Sequence, residues 1–205
     1  MLYELIVLSL LMHWPLHGYV IASISNDILG PWEKISKGTM YSLLGKLERA
    51  GLIQLTDPSN VYHISDRRSK AYEITQTGRK RFVELMIDTI SSLNNYRRLF
   101  HIKAMHLSFL PLDDQLYLVD HYSTYCQTAI RHQKVQSQDI LDAPDMRAGF
   151  GEFFFESSLD YIQSMADVWQ VELNWTQRLR ARVIAHAQQS EAPESPDATD
   201  NHPAS

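Results

Sequence analysis

The chain has 205 residues, 44% of them hydrophobic, and a formal net charge of −5 at pH 7. This length and apolar content are those of a globular protein that can bury the core of one medium-sized domain or two small ones. The single cysteine, Cys126, excludes an internal disulfide framework and fits a reducing compartment. The apolar run at residues 5–12 is too short to span a bilayer and no Lys or Arg precedes it, so we expect a cytoplasmic protein without a membrane partner.

The charges are unevenly distributed along the chain. Residues 1–82 carry ten positive and seven negative side chains, a net of +3, whereas residues 83–205 carry nine and seventeen, a net of −8. All ten of the N-terminal positive charges lie between Lys34 and Arg81. Because a local basic surface can bind phosphate while an acidic remainder faces elsewhere, the overall acidity does not exclude a nucleic-acid partner.

Three helices are predicted within the first 50 residues. Residues 2–12 form a nearly apolar helix that must be covered on most sides. A second helix runs from Tyr19 to about Leu29, where Gly30-Pro31 ends it. The third follows Ser36 as its N-cap, and its apolar face is formed by Met40, Leu43, Leu44 and Leu47. Three short helices in this order favour a helix-turn-helix bundle.

The other face of the third helix is small and polar. Such a face can approach a sugar-phosphate backbone closely, donate hydrogen bonds to phosphates and send side chains to base edges. We therefore predict a recognition helix, with an ordinary amphipathic helix as the alternative. The face is lined by Lys37, Gly38, Tyr41, Ser42, Gly45 and Arg49, with Thr39 and Lys46 on its flank.

A predicted hairpin with a basic loop follows the third helix. Leu52–Thr56 and Ala71–Thr75 are short strand candidates, and residues 57–60 between them have turn composition. The order of three helices, strand, basic loop and strand is that of a winged helix-turn-helix. We predict that the loop contacts phosphate, and the alternative is a solvated run of charges. Its basic residues are His63, Arg67, Arg68 and Lys70.

The rest of the chain is predicted to be helical. Thr75 is a natural N-cap for a helix to about Ser92, whose inward face is Phe82, Leu85, Met86, Thr89, Ile90 and Leu93. Further helices are predicted over 96–109, 112–141 and 145–187. The last exceeds the usual length of about 20 residues, so it needs a partner helix from this chain or from a second copy. From about Gln188 the composition predicts disorder.

Four motifs in a fixed order carry a resemblance to a known family. They are LYELIVLSLL at residues 2–11, HGY at 17–19, S-x-G-T-x-Y-x-L-L-x-x-L-E-x-x-G-L-I at 36–53 and K-A-Y-E-I-T-x-T-G at 70–78. Together they resemble the PadR family of winged-helix transcriptional regulators. The C-terminal half, with FHIKAMHLSFLP at 100–111, is similar to the helical dimerisation domain of the larger members, which are related to phenolic-acid and virulence-gene regulators.

The resemblance implies a mostly α fold with three domains. Residues 1–92 would form a winged helix-turn-helix of three helices and a two-stranded wing, residues 93–187 an all-helical dimerisation and effector domain, and residues 188–205 a disordered tail. The implied function is that of a dimeric repressor that binds a palindromic operator in double-stranded DNA and is released by a small aromatic effector. The implied DNA-binding residues are Lys37, Gly38, Thr39, Tyr41, Ser42 and Lys46 on the helix, and Arg67, Arg68 and Lys70 in the wing.

A small-molecule binding module with vestigial DNA binding is the alternative from a different class. Aromatic residues could line its pocket, although at helical spacing such residues are more often core. Arg97 and His101, one helical turn apart, could meet a carboxylate or form a solvated pair. In the related phenolic-acid regulators the connector at 31–35 borders the effector pocket. The candidate pocket residues are Trp32, Tyr96, Arg97, Phe100, His101 and Trp169, with Tyr122 and Trp175 as further aromatics.

The sequence argues against an enzyme. It contains no C-x-x-C, H-E-x-x-H, G-x-S-x-G or P-loop motif. The histidine pairs that are close in sequence, His13 with His17 and His101 with His106, do not offer adjacent metal ligands on a helix. We therefore expect no catalytic residues, no metal and no cofactor.

Overall fold

A computed structural model describes residues 1–57, 59, 61 and 69–191 of the chain. The chain divides into two compact units, the first over Met1–Leu110 and the second from Pro111 onward. The boundary predicted after residue 92 falls inside the first unit. The physical reason is that the segment after this boundary packs on the first helices, since the Phe109 ring lies 4.8 Å from the His13 ring and 5.8 Å from the Phe82 ring.

The first unit begins with three helices, α1 (Leu2–His13), α2 (Gly18–Leu29) and α3 (Lys37–Arg49). The nearly apolar α1 is the central element and contacts α2, a strand and a later helix. This burial confirms that an all-round apolar helix must be covered. Its buried side chains are Leu5, Ile6, Val7, Leu8, Ser9 and Leu11.

A small antiparallel sheet joins the helices, with strands β1 (Leu16–His17), β2 (Ile53–Thr56) and β3 (Ala71–Ile74). The predicted two-stranded wing is therefore extended by a third strand, in the order β1-β3-β2. Tyr72 of β3 lies opposite Leu16 on one side and Leu55 on the other. The sequence did not predict β1, because a strand of two residues is too short to show an alternating pattern.

The next helix, α4, spans Gln76–Ile87. The predicted N-cap is confirmed, since the Thr75 hydroxyl accepts a hydrogen bond from the Gly78 amide at 3.0 Å. Gly78 lies against the backbone of the residue before β2, where an added Cβ would be 2.0 Å from the Leu52 carbonyl oxygen. Only glycine allows the first turn of α4 to approach the chain this closely.

The helix predicted to run to about Ser92 ends earlier than expected, at Ile87. The Asp88 carboxylate accepts hydrogen bonds from the amides of Ile90 and Ser91, and these turn bonds replace the helical ones. Ile90 and Leu93, predicted to face inward, are consequently exposed. The predicted helix over 96–109 is also divided, into α5 (Tyr96–Met105) and a 3₁₀ turn at Leu107–Phe109.

The second unit consists of α6 (Leu112–Leu141), α7 (Pro144–Phe150) and α8 (Glu152–Glu191). The bounds of α6 are those predicted. The predicted continuous helix over 145–187 is wrong, because Gly151 has a φ of 87° and separates α7 from α8. Helix α8 extends beyond Gln188, the predicted start of the tail, and residues 192–205 lie outside the described part of the chain.

Helices α6 and α8 pack along each other in opposite directions. The Tyr122 hydroxyl near the middle of α6 donates to the buried Glu172 carboxylate at 2.9 Å, and the Asp120 carboxylate accepts from Arg180 at 2.7 Å. The buried residues of the two helices are Leu118, Val119, Tyr122 and Cys126 of α6 and Phe155, Ile162, Glu172, Leu173, Thr176, Leu179 and Val183 of α8. No helix within the described residues combines the length and apolarity needed to cross a membrane.

Candidate nucleic-acid interface

Helix α3 separates its apolar and polar side chains as the sequence predicts. Met40, Leu44 and Leu47 are buried in the first unit, and Leu43 is half-buried. The Ser36 hydroxyl caps the helix by accepting from the Thr39 amide at 3.1 Å, which confirms the predicted N-cap. The core contacts fix which side of α3 faces outward, and the cap fixes where it begins.

The outward side of α3 is continuous, small and polar. An added Cβ at Gly38 would lie 3.8 Å from its nearest neighbour, the Ser36 hydroxyl, and at Gly45 it would meet nothing within 4 Å. The two glycines therefore leave open surface into which another molecule can come close to the helix backbone. The six candidate residues on α3 are all exposed: Lys37, Gly38, Thr39, Tyr41, Ser42 and Lys46.

Positive charge dominates this surface. Lys37, Lys46 and Arg49 are exposed on α3, whereas the one carboxylate of the helix, Glu48, is half-buried. Lys34 in the connector before the helix is also exposed. A small surface with several cations and few anions suits a phosphate backbone, because it adds Coulomb attraction to the hydrogen-bond donors.

Tyr41 has a supporting residue that sequence reasoning did not identify as part of the site. An added Cβ at Gly18, the first residue of α2, would lie 2.9 Å from Cε1 of the Tyr41 ring and 3.4 Å from the Tyr72 ring. The missing side chain at Gly18 therefore makes the space in which the Tyr41 ring rests. The signal was present in the HGY motif, but only the fold shows which ring needs the space.

The base of the wing is fixed to the same region. The Lys70 carbonyl accepts from the Gly18 amide at 3.1 Å, and the Ser69 hydroxyl lies 3.0 Å from Nδ1 of the buried His17. The Lys70 side chain is exposed at the start of β3. The predicted phosphate contacts Arg67 and Arg68, together with His63, lie outside the described residues.

The candidate effector residues occupy different environments. Tyr96 and Phe100 are buried in the core of the first unit, with ring centroids 6.5 Å apart. Trp32 is 96% exposed, and Arg97 and His101 are exposed on α5. Trp169 belongs to the second unit, where its ring meets Tyr125 edge-on at 5.5 Å. Of these candidates, the structure brings Tyr96 and Phe100 into one cluster.

One histidine pair is formed across the fold rather than along a helix. Nε2 of His13 lies 3.3 Å from Nδ1 of His106. Burial, with a smaller contribution from the charge of His13, lowers the pKa of His106 to about 4. Among the residues that the structure describes, no group of three or more His, Cys, Asp or Glu side chains could hold a metal ion.

Comparisons with known proteins agree with this arrangement in the N-terminal region. Residues 7–84 match the model of the transcriptional regulator PadR-like family. The matched segment runs from α1 to α4 and includes α3 and the wing strands. This is a family of transcriptional regulators rather than of enzymes. No protein of curated function matches the sequence.

The solved structures to which this chain is similar have low sequence identity to it and low TM-scores. PadR of Bacillus subtilis in complex with operator DNA is 17% identical with a TM-score of 0.35, and the alignment covers 87% of this chain and 96% of that one. The PadR-like regulator BC1756 of Bacillus cereus is 21% identical with a TM-score of 0.33, and the alignment covers 90% of this chain and 99% of that one. The virulence activator AphA of Vibrio cholerae is 19% identical with a TM-score of 0.34, and the alignment covers 90% of this chain and 99% of that one. Similarity at this level does not transfer a ligand or a partner to this chain.

The family match spans three helices, the wing strands and α4, with the polar and basic surface of α3 presented to solvent. Residues 7–84 of this chain are therefore similar to the PadR-like family of transcriptional regulators.

Proposed function

We propose that this chain is a cytoplasmic, homodimeric repressor that binds a palindromic operator in double-stranded DNA. The observation that carries the proposal is the outward side of α3, where six small, hydroxyl-bearing or cationic residues are exposed together over a buried apolar face. In each copy α3 would enter a major groove, with Lys37 and Tyr41 reaching bases or phosphates. Lys70 would contact the backbone beside it, together with Arg67 and Arg68.

The proposed dimer is supported by the second unit. Phe150 is 67% exposed and Phe153 is 84% exposed, and Phe154 and Tyr161 are exposed near them on α8. A monomer seldom leaves several large aromatic side chains in water side by side, because their burial stabilises a contact by about 25 cal/mol per Å² of apolar surface. A second copy of the chain that covers this face would hold two α3 helices about one helical turn of DNA apart, about 34 Å.

Regulation would act on the distance between the two α3 helices. A small aromatic effector that binds one spacing better than the other would shift the population toward that spacing. An effector that binds both spacings equally would leave DNA affinity unchanged.

Selection of binding sites from a random DNA pool tests the proposal directly. We expect a palindrome whose half-sites have centres about 10 base pairs apart, because a two-fold dimer with two recognition helices reads successive major grooves. A selected site without two-fold symmetry would contradict the dimer. Failure to select any site would contradict DNA binding and favour a ligand-binding module.

Single substitutions test which surface reads the selected site. Lys37→Ala and Tyr41→Ala should each weaken operator binding about tenfold in a mobility-shift assay, which corresponds to about 1.4 kcal/mol. Tyr117→Ala removes a comparably exposed tyrosine from α6 and should bind like the parent. If both α3 variants bind like the parent, the outward side of α3 is not the recognition surface.

A further inference from the structure

A groove of about 470 Å³ lies beside the outward side of α3. Its volume is within the range of roughly 300–1,000 Å³ in which proteins bind small molecules. The groove lies wholly within the first unit, between the start of α1, the connector before α3 and α3 itself. It is lined by Tyr3, Ile35, Gly38, Thr39, Ser42, Leu43 and Lys46.

The lining residues specify the chemistry of a ligand. Ile35 is buried and Leu43 is half-buried, so they provide apolar contact, while the hydroxyls of Thr39 and Ser42 offer hydrogen bonds. Lys46 is the one charged residue among the seven that line the groove. An apolar wall with a single cation suits a ligand that has a compact apolar body and one anionic group.

Hydrogen bonds outside the groove hold its walls in place. The Tyr3 hydroxyl donates to Oε1 of Glu33, whose other carboxylate oxygen pairs with Arg98 of α5. The hydrogen bonds from Tyr3 and Arg98 hold the pKa of the Glu33 carboxyl below its usual range. The hydrogen bond to Glu33 in turn raises the pKa of the Tyr3 hydroxyl. The Asn26 side chain accepts from the Ile35 amide at 2.8 Å and donates to the Ile35 carbonyl oxygen at 3.3 Å.

These bonds make the groove a preformed site. Ligand binding then need not order the connector, which lowers the entropic cost of binding. Arg98 compensates the negative charge of Glu33. This carboxylate, which contacts Tyr3 in the wall of the groove, therefore does not repel a bound anion.

We propose that this groove binds a small organic anion, with its apolar body against Ile35 and Leu43 and its anionic group at Lys46. Gly38, Thr39, Ser42 and Lys46 line the groove and also belong to the proposed DNA-binding surface. The bound anion and DNA would therefore exclude each other, and this consequence rests on the proposed function. Regulation of this kind would act within one N-terminal domain and would not need a change in the distance between two copies.

A titration with 2-naphthoate tests the site. Amide NMR spectra should show saturable shifts at Ile35, Thr39 and Leu43. The neutral isostere 2-naphthamide should bind at least tenfold more weakly, because it lacks the charge that pairs with Lys46. Inorganic phosphate at equal ionic strength should not produce these shifts, because it lacks the apolar body. Equal shifts with phosphate would overturn the proposal and indicate a bare phosphate contact of the DNA backbone.

Two variants and a matched control locate the site. Leu43→Trp fills the groove and Lys46→Gln removes its cation, so each should weaken 2-naphthoate binding at least tenfold. Leu93→Trp adds the same ring at an exposed leucine outside the groove and should bind like the parent. Lys46 is exposed, so its variant keeps the test valid if Leu43→Trp fails to fold. Unchanged affinity in Lys46→Gln would overturn the proposal.

Competition with a fluorescent DNA duplex separates this inference from the proposed function. We expect 2-naphthoate to displace the duplex from the parent and from Leu93→Trp, but not from Leu43→Trp. Binding of 2-naphthoate in the groove without displacement of bound DNA would overturn mutual exclusion. If the protein binds 2-naphthoate in the groove but binds no DNA, the result would support the groove as a binding site and contradict the proposed function.

Discussion

The two compact units differ in where they place their aromatic side chains. The first buries Phe82, Tyr96 and Phe100 almost completely, whereas the second leaves Phe150 and Phe153 largely exposed. The first unit has helices and a sheet on several sides of α1, so a single chain can close its core. Two long helices share one contact face, so α6 and α8 cannot cover the remaining apolar surface of α8 by themselves. The comparison indicates that the first unit closes its core in one copy, whereas the second leaves an apolar face exposed, which is the face that we propose a second copy covers.

Gly78→Ala should break the closed packing of the first unit. Its Cβ would lie 2.0 Å from the Leu52 carbonyl oxygen and 2.7 Å from Cγ1 of Ile74, so backbone must move. We expect the free energy of unfolding of this unit to fall by about 3 kcal/mol in urea denaturation. Gly45→Ala is the matched control, because its Cβ meets open space in a helix interior and should stabilise by about 0.5–1 kcal/mol. Equal effects of the two changes would mean that the close contact at Gly78 does not constrain the unit.

Acidification should also weaken the first unit, through His106. The folded-state pKa of about 4 lies below the ordinary value of 6.5, so the folded state binds fewer protons. The contribution of His106 to the free energy of unfolding is therefore fully present above about pH 6.5. It is lost as the pH drops toward 4, which lowers the free energy of unfolding by no more than roughly 3 kcal/mol.

Urea unfolding measured between pH 7 and pH 4 checks the role of His106. His106→Leu should remove most of the pH dependence in this window, because no imidazole then has to take up a proton on unfolding. His101→Leu changes an exposed histidine of α5, the helix that ends directly before His106, and should keep the dependence. A pH profile that is unchanged in His106→Leu would assign the acid sensitivity to other groups.

Phe153→Asp tests whether the exposed aromatic face of the second unit is the contact of the proposed dimer. A carboxylate in the centre of an apolar contact should raise the dissociation constant of the proposed dimer about 30-fold, or about 2 kcal/mol, in sedimentation equilibrium. Gln170→Asp places the same group at an exposed polar position of α8 and should leave assembly unchanged. If Phe153→Asp assembles like the parent, the exposed aromatic face is not the dimer contact.

The smallest expected effect concerns the wing. Lys70→Gln should lower the slope of log affinity against log salt by about one unit on any DNA sequence, because one phosphate contact is lost. Lys134→Gln removes an exposed cation from α6 and should leave the slope unchanged. The double change Arg67→Ala, Arg68→Ala should lower the slope further. An unchanged slope in these wing variants would mean that the wing points away from DNA.

Local chemistry explains why parts of the fold could be predicted from the sequence. The caps at Ser36 and Thr75 depend on residues three positions away, so the sequence contains the whole interaction. The two faces of α3 follow likewise from helical spacing.

The features that the sequence did not predict have two causes. Some depend on contacts between residues that are distant in sequence, and others on one residue that interrupts an otherwise continuous apolar pattern. The apolar spacing continues across Gly151, so the break between α7 and α8 was not apparent. The turn at Asp88 is local, but the apolar spacing continues past it to Ile90 and Leu93, so the end of α4 was not apparent either. The space that Gly18 provides for Tyr41 involves partners that only the fold brings together. The pairing of His13 with His106 joins residues 93 positions apart, and helical spacing therefore cannot reveal it.

The position of β3 between two neighbours has a consequence for how the wing can change over evolution. Its register is fixed on one side by β1 and on the other by β2, so the strand does not rely on a tight turn to stay aligned. Insertions or deletions in the connection between Thr56 and Ala71 would then leave the strands in place. Loop-closure entropy adds only about 0.6 kcal/mol for each doubling of loop length. The length and charge of this connection can therefore change without a change in the core beneath it, and under the proposed function such changes would alter DNA preference.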